Sequence, residues 1–393
     1  MNFEFATAQR IIFGAGRLQE LAILVQSMGR RAAFITGTSA ERIGPVFQAL
    51  KNNGANPAAF SIAGEPTTDR IAAMVHQARE QGCDYVVAFG GGSVIDAGKA
   101  VAALLTNTRD LMDYLEVIGK GEPLTEDPAP CIAIPTTAGT GAEVTRNAVL
   151  LSPEHQVKVS MRHPKMLPTV ALVDPELTLS MPPAVTASTG LDAFTQLLEA
   201  FVSIRSNPLT DGICREGLSC VSRSLHRAYA DGGNLEARTG MALGSLFGGL
   251  ALANAGLGAV HGFAGPIGGM FKAPHGMVCA ALLPAVCEIN IRALEERAAE
   301  SDALGKYREA AAIVSGNPKA RLSELLDWIK ELCMQMHVPG LADLGIAESD
   351  IPAIVEKGRK ASSMKGNPLV LLSLIHISEP TRPRRQSRIP SSA

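Results

Sequence analysis

DYVVAFGGGSVIDAGK, residues 84–99, decides the architecture. Tyr85 to Phe89 is an unbroken apolar run, the pattern of a strand buried on both faces. Gly90, Gly91 and Gly92 then turn the chain, and Ser93, Val94, Ile95 and Asp96 open a helix. A glycine-rich turn into a helix N-terminus presents free backbone N–H groups and the positive end of the helix dipole, which suits a phosphate. The plainer reading is a tight strand-to-helix connection with no ligand. The spacing is not that of the G-x-G-x-x-G dinucleotide fingerprint. Gly14-Ala15-Gly16 also lacks a third glycine and reads as a simple turn.

The same alternation recurs outward from this stretch. Residues 32–36 read as a buried strand ending at Gly37, Thr38 and Ser39, which open another helix. Residues 57–62 are a weaker strand. Residues 17–28 and 67–81 are amphipathic helices, the second with Ile71, Met74, Val75 and Ala78 on one face. Residues 131–134 and 170–173 read as strands, and residues 147–151 and 157–161 as two more around a turn that holds His155. Strands alternating with helices build a parallel sheet covered by helices. After Pro182-Pro183 the strand signals stop, and helical stretches follow at 207–225, 236–254, 286–297 and 322–335. The expected organisation is an α/β domain over 1–183 and an all-helical domain over 184–372.

Composition bounds the function. The chain has 393 residues, 46% hydrophobic, and a formal net charge of -2. Near-neutral charge argues against a nucleic-acid or membrane-surface partner. The apolar run 246–260 is short for a membrane span and rich in Gly and Ala, which fits a tightly packed buried helix. The N-terminus carries Glu4 and Arg10 and has no signal-peptide core. Seven scattered cysteines without a C-x-x-C pair fit buried free thiols in a reducing, cytoplasmic setting.

Three further stretches carry candidate chemistry. Residues 135–145, PTTAGTGAEVT, interleave small hydroxyls with glycine, which suits a ligand bearing hydroxyls and phosphates or a loop that satisfies its own backbone. Asp192 and Gln196 are four apart and project from one helix face. Asp192 there is either a metal ligand or a first-turn acid favoured by the dipole. Residues 258–284, GAVHGFAGPIGGMFKAPHGMVCAALLP, hold His261 and His275, each followed by glycine. Imidazole is a common metal ligand and acid/base group; the blander reading is two hydrogen-bonded core histidines in a glycine-rich turn.

In this order, GGGSVIDAGK, PTTAGTGAEVT, TGLDAFTQLLEAF (189–201) and the histidine stretch resemble the iron-containing (group III) alcohol dehydrogenases, from about residue 3 to about 372. The resemblance implies a dinucleotide-binding α/β domain, an all-helical domain and a site in the cleft between them. It implies an NAD(P)(H)-dependent oxidoreductase, an alcohol dehydrogenase or aldehyde reductase acting on a small alcohol or aldehyde. It also implies a homo-oligomer, with no nucleic acid and no membrane. Gly90, Gly91, Gly92, Ser93 and Asp96 would hold the pyrophosphate end of the cofactor; Thr136, Thr137, Thr140 and Thr145 would line it; Lys158 would lie near the nicotinamide ribose. An Fe²⁺ or Zn²⁺ ion would be held by Asp192, His261 and His275. Gln196 stands where the family has a histidine, and its neutral amide would be a weak fourth ligand or a hydrogen-bond partner of the ligands. Gly265 is a second departure, where several members carry a further histidine. Members that favour NAD often have an acid where Gly37 stands; its absence, with hydroxyls at Thr38 and Ser39, implies that NADPH is accepted. If no metal binds, a protonated His261 or His275 could polarise the carbonyl, as in a metal-independent reductase of the maleylacetate reductase type. The same fold also admits a lyase of the dehydroquinate synthase type and a nucleotide-binding protein without turnover.

Residues 373–393 are rich in Arg, Pro and Ser and keep neither helical nor strand period. They read as a translated sequencing-adapter artefact or a disordered basic tail, and we set them aside with His376.

Overall fold

A computed structural model describes residues 2–37 and 40–371, so Thr38, Ser39 and the tail at 373–393 lie outside the described residues. The strands are β1 (Arg10–Phe13), β2 (Ala32–Thr36), β3 (Ala58–Ser61), β4 (Tyr85–Gly90), β5 (Cys131–Pro135), β6 (Asn147–Ser152), β7 (Val157–Arg162) and β8 (Val170–Val173). β6 and β7 form an antiparallel hairpin; the other six form a parallel sheet in the order β1-β8-β5-β4-β2-β3. Every residue of β2, β4, β5 and β8 is buried, which is why these segments read as continuous apolar runs. The chain steps outward from β2 to β3, returns to β4, and continues the other way through β5. The glycine turn after β4 thus sits at the carboxyl end of a central strand, where direction reverses.

The helices are α1 (Leu21–Leu24), α2 (Ala40–Asn52), α3 (Thr68–Glu80), α4 (Gly92–Thr106), α5 (Leu111–Tyr114), α6 (Pro183–Val202), α7 (Pro208–Ala230), α8 (Leu235–Ala255), α9 (Ala259–Met270), α10 (His275–Arg297), α11 (Asp302–Ser315), α12 (Leu322–Gln335) and α13 (Ile351–Lys360). α6 to α13 share one apolar core that includes Leu191, Phe194, Leu197, Phe201, Val221, Phe263 and Leu283. Local chemistry sets the helix starts. Thr67 caps α3 by accepting from Arg70 N, and Asn207 caps α7 in a reciprocal box with Thr210.

The structure differs from the sequence reading in three places. Residues 17–28 are not one helix: α1 is flanked by 3₁₀ turns at Arg17–Glu20 and Val25–Ser27. The run 246–260 breaks where Gly256 adopts φ +69°, closing α8 before α9 begins. The glycine-rich stretch at 258–284 is α9 and the first half of α10, with Pro266 and Pro284 inside the helices. α10 therefore begins at His275, eleven residues before the expected start. Gly and Pro cost helix propensity, but close packing in the shared core outweighs it. α10 is long and apolar enough to cross a membrane, yet more than half of its apolar window is buried inside the molecule.

Two contacts fix the loop after β5, one inside the α/β part and one against α8. Lys99 of α4 is buried, and its ammonium bonds Ala142 O at 2.9 Å, Thr145 Oγ1 at 2.9 Å and Asp96 Oδ1 at 3.0 Å. Gly141, at φ +58°, lies against α8 so closely that a Cβ would stand 2.5 Å from Gly249 Cα and from Ser245 O. A Gly141→Ala protein combines left-handed strain with a backbone clash. We expect it to lose about 2–4 kcal/mol of stability, read as a lowered denaturation midpoint; an unchanged midpoint would show that the loop can shift freely off α8.

Candidate functional site

One face of α6 organises the site. Asp192, Gln196 and Glu199 follow at helical spacing and are all buried. They meet the first turns of α9 and α10, which supply His261 and His275. His261 Nε2 lies 3.2 Å and His275 Nε2 3.8 Å from Asp192 Oδ1. Cys279, one turn after His275 on α10, sets its sulfur 3.6 Å from His275 Nε2 and 3.8 Å from His261 Nε2. One donor atom each from Asp192, His261, His275 and Cys279 lies within 4.8 Å of the others. This is a compact, mostly buried set of oxygen, nitrogen and sulfur donors of the kind that binds divalent transition metals.

Glu199 orients the cluster. Its Oε2 lies 2.7 Å from His261 Nδ1, while its Oε1 accepts from Val260 N at 2.6 Å and its Oε2 from His261 N at 3.4 Å. The carboxylate therefore caps α9 and accepts a hydrogen bond from Nδ1–H, leaving Nε2 facing Asp192. A carboxylate behind a ligating histidine is the usual outer partner in metal sites. Burial pulls the His261 imidazole down, but the charge of Cys279 and hydrogen bonds to Asp192, Cys279 and Glu199 outweigh it and hold it well above the ordinary value. The charge of Cys279 raises His275 likewise, against burial. For Asp192 burial pushes upward, and the two imidazoles overcome it and lower it. Two carboxylates thus face the two nitrogens of His261, a demand for positive charge that the imidazolium itself meets when no ion is bound. The donors fit a divalent cation because one oxygen, two nitrogens and one sulfur lie within 4.8 Å of one another.

Gln196 turns its Nε2 toward Asp192 Oδ2 at 3.4 Å, and its buried Oε1 has no hydrogen-bond partner among the described residues. Its position is that of a partner of Asp192. Gly265 lies one turn beyond His261, with no described atom within 4 Å of where a side chain would begin. His275 is the open member of the cluster, with its side chain 33% exposed against 7% for His261.

The expected nucleotide residues separate into two groups. Gly91 is the N-cap residue of α4, and Gly92 starts the helix; Cβ atoms there would stand 3.4 Å from Thr137 Oγ1 and 2.8 Å from Thr140 Oγ1. Gly90, Gly91, Gly92, Ser93, Thr136, Thr137 and Thr140 thus come together at the end of β4, with Thr136 N donating to Gly90 O at 2.9 Å. Asp96 and Thr145 lie deeper, and their polar atoms are engaged inside the protein. Asp96 holds Val149 N at 3.0 Å and Lys99, and Thr145 holds Lys99. Burial pushes the Asp96 carboxyl up despite Lys99. Lys158 on β7 pairs with Glu65 at 2.8 Å and runs beside Gly268 of α9. Gly37 follows β2 with no described atom within 4 Å of a Cβ, and its neighbours Thr38 and Ser39 lie outside the described residues. His155 is exposed, with Nδ1 2.9 Å from Ser152 Oγ. Sequence reading missed Cys279, Glu199, Lys99 and Glu143. The spacing of Cys279 to His275 and of Glu199 to Asp192, one and two helical turns, is the signal that could have found the first two.

Residues 8–175 match the family model described as iron-containing alcohol dehydrogenase, and residues 186–373 match the C-terminal model of the Fe-containing alcohol dehydrogenase family. The chain is 33% identical over 375 residues to the 1,3-propanediol dehydrogenase of Klebsiella pneumoniae, covering 93% of this chain and 95% of the relative. It is 30% identical to the NAD-dependent methanol dehydrogenase of Bacillus methanolicus, over 91% of this chain and 94% of that one. A solved 1,3-propanediol oxidoreductase superposes with a TM-score of 0.86 at 32% identity, over 94% of this chain and 97% of that one.

Glu143, in the loop clasped by Lys99, is 2% exposed. Burial pushes its carboxyl up to about 7, against its own backbone N–H and the charge of Lys99. A carboxyl raised in the folded state adds stability that is complete below its unfolded value, roughly 4.3, and is lost as pH rises through about 7. Between pH 5 and pH 8.5 the wild type should therefore lose about 2–3 kcal/mol relative to Glu143→Gln. Denaturant midpoints of both proteins at the two pH values test this; parallel pH profiles would show that Glu143 titrates normally.

Proposed function

The chain belongs to the iron-containing alcohol dehydrogenase family, and from that premise we propose a catalytic cleft at the Asp192–His261–His275 cluster. The protein is an oxidoreductase that moves hydride between a nicotinamide dinucleotide and a small alcohol or aldehyde. In this reading residues 1–183 carry the dinucleotide and residues 184–372 carry the metal and substrate. The cytoplasmic, homo-oligomeric state belongs to the same proposal. The observation that carries it is the buried donor cluster whose central imidazole lies between two carboxylates.

Asp192, His261 and His275 would hold a divalent cation, iron or zinc, which when bound supplies Lewis acidity to the alcohol or carbonyl oxygen. The chain's own residues do the rest. Glu199 keeps the proton on Nδ1 of His261 and aims Nε2. The Gln196 amide donates to Asp192 Oδ2, leaving Oδ1 toward the imidazoles. The Gly90–Gly92 turn and the N-terminus of α4 offer N–H groups to the pyrophosphate. Lys158, held by Glu65, stands beside α9 where the nicotinamide half would reach. The alcohol proton has to leave the site, and His275 is the cluster member open to water. Holding the two reactants in line is the protein's main contribution.

Purified protein supplied with Fe²⁺ or Zn²⁺ should oxidise NADH with short aldehydes, release the matching alcohols, lose turnover on chelation and regain it on metal return. Full turnover in chelated protein would remove the metal and leave an imidazolium donor as the better account. Tight nucleotide binding with no net turnover would point instead to a lyase or a non-catalytic binder.

Cofactor choice has its own test. Glycine at position 37 carries no carboxylate to repel a 2′-phosphate, so NADPH should be accepted. Among the described residues nothing lies within 4 Å of where a Cβ at Gly37 would stand, so an acid meets no described clash there. Gly37→Asp should lower kcat/KM for NADPH at least tenfold, about 1.4 kcal/mol, and leave NADH little changed. Equal losses with both cofactors would place position 37 away from the ribose.

A further inference from the structure

We propose that the Cys279 thiolate is the fourth protein donor of the metal site, in place of the side chain at position 196, and that it biases the site toward zinc over iron. This rests on the metal reading above. The geometry is the first argument. Bonds of about 2.0–2.1 Å to nitrogen and oxygen and about 2.3 Å to sulfur, at tetrahedral angles, set N and O donors about 3.3 Å apart and S and N about 3.5 Å apart. Here Asp192 Oδ1 lies 3.2 Å from His261 Nε2 and 3.8 Å from His275 Nε2, and Cys279 Sγ is 3.6 Å from His275 Nε2 and 3.8 Å from His261 Nε2. The sulfur thus stands within about 0.3 Å of its tetrahedral separation from both imidazoles, and all four donors lie within 4.8 Å of one another.

Position 196 offers no comparable donor. The amide nitrogen of Gln196 faces Asp192, and its oxygen lies toward α8, 3.2 Å from where a Cβ on Gly248 would be. That oxygen is buried and unpartnered among the described residues. The side chain serves Asp192 as a hydrogen-bond donor. Thiolate is a soft ligand that suits zinc better than iron(II) in a mixed nitrogen and oxygen set. On binding, the thiol proton is released to solvent and the sulfur lone pair forms the bond; no redox step is involved.

Co²⁺ is the probe. Titrated into the full-length metal-stripped protein, it should give visible ligand-field bands and an intense near-ultraviolet band from sulfur-to-cobalt charge transfer. Cys279→Ser should lose the charge-transfer band and keep the ligand-field bands; Gln196→Ala should keep both. Zn²⁺ affinity, measured by chelator competition, should fall in Cys279→Ser by more than the roughly 10–100-fold typical of losing an outer partner. Ligand-field bands without the charge-transfer band in wild type would overturn the proposal and leave the metal reading standing. Wild type that takes up no cobalt would overturn both. The wild-type spectrum decides even if the serine protein fails to fold.

Discussion

The contact between Glu199 and His261 is the one on which the site depends. α9 begins at Ala259 after Gly258, which has no side chain to cap it. The first-turn N–H groups of a helix need partners from outside it. Glu199 reaches across from α6 to take Val260 N and His261 N, and Asn367 takes Ala259 N at 3.2 Å. The same carboxylate receives Nδ1 of the histidine that the cap positions. Helix start, ring orientation and tautomer are therefore set together. A Cβ at Gly258 would stand 2.9 Å from Glu199 Oε1, so the missing side chain is what admits the carboxylate.

The second constraint is the seam between sheet and helices. The loop after β5 has to serve the glycine turn on one side and pack on α6 and α8 on the other. Gly139 meets Thr189 of α6, Gly141 meets Gly249 of α8, and Gly276 of α10 packs on Ser188. Backbone-to-backbone approach of this kind excludes even a methyl group. Lys99 secures the same loop from beneath by binding Ala142 O and Thr145. Removing its charge would leave Asp96 buried without its cation, an expensive state. The turn at Gly90–Gly92 is packed between Thr137, Thr140 and Val94.

Much of this is legible in the sequence. The buried strands β2, β4, β5 and β8 carry their burial in unbroken apolar runs, and α3 carries its face in Ile71, Met74, Val75 and Ala78. Asp192, His261 and His275 stand out through the order and spacing of motifs, and the structure brings all three together. What the sequence hides lies where local and global preferences disagree. α9 and the start of α10 are rich in Gly and Pro, so propensity argues for a turn, while close packing against α6, α10 and α13 makes helices. Glu199 reads in isolation as one acid in an apolar helix; its partner is 62 residues away. Asp96 and Thr145 stand out in the sequence as candidate ligand residues, and only the tertiary fold shows that the buried ammonium of Lys99 also engages both. The helix at 17–28 is interrupted although its amphipathic pattern is sound.

Positions 196 and 279 are related by helix geometry in a way that explains how the site can depart from the pattern of its family. Each lies one turn beyond a donor, Gln196 after Asp192 on α6 and Cys279 after His275 on α10. Side chains four apart on a helix share a face, so each stands next to the same centre as its predecessor. A donor absent from one helix can therefore be supplied by the other without moving either backbone. The glutamine does not become idle: its amide N–H fixes one oxygen of Asp192 and leaves the other facing His261 and His275. In the proposed site, an orienting amide on α6 and a thiolate donor on α10 would keep the number of donors at four and change their character. Two helices packed at a fixed separation allow that exchange; a site built on one flexible loop would not hold the sulfur within 4 Å of both imidazoles.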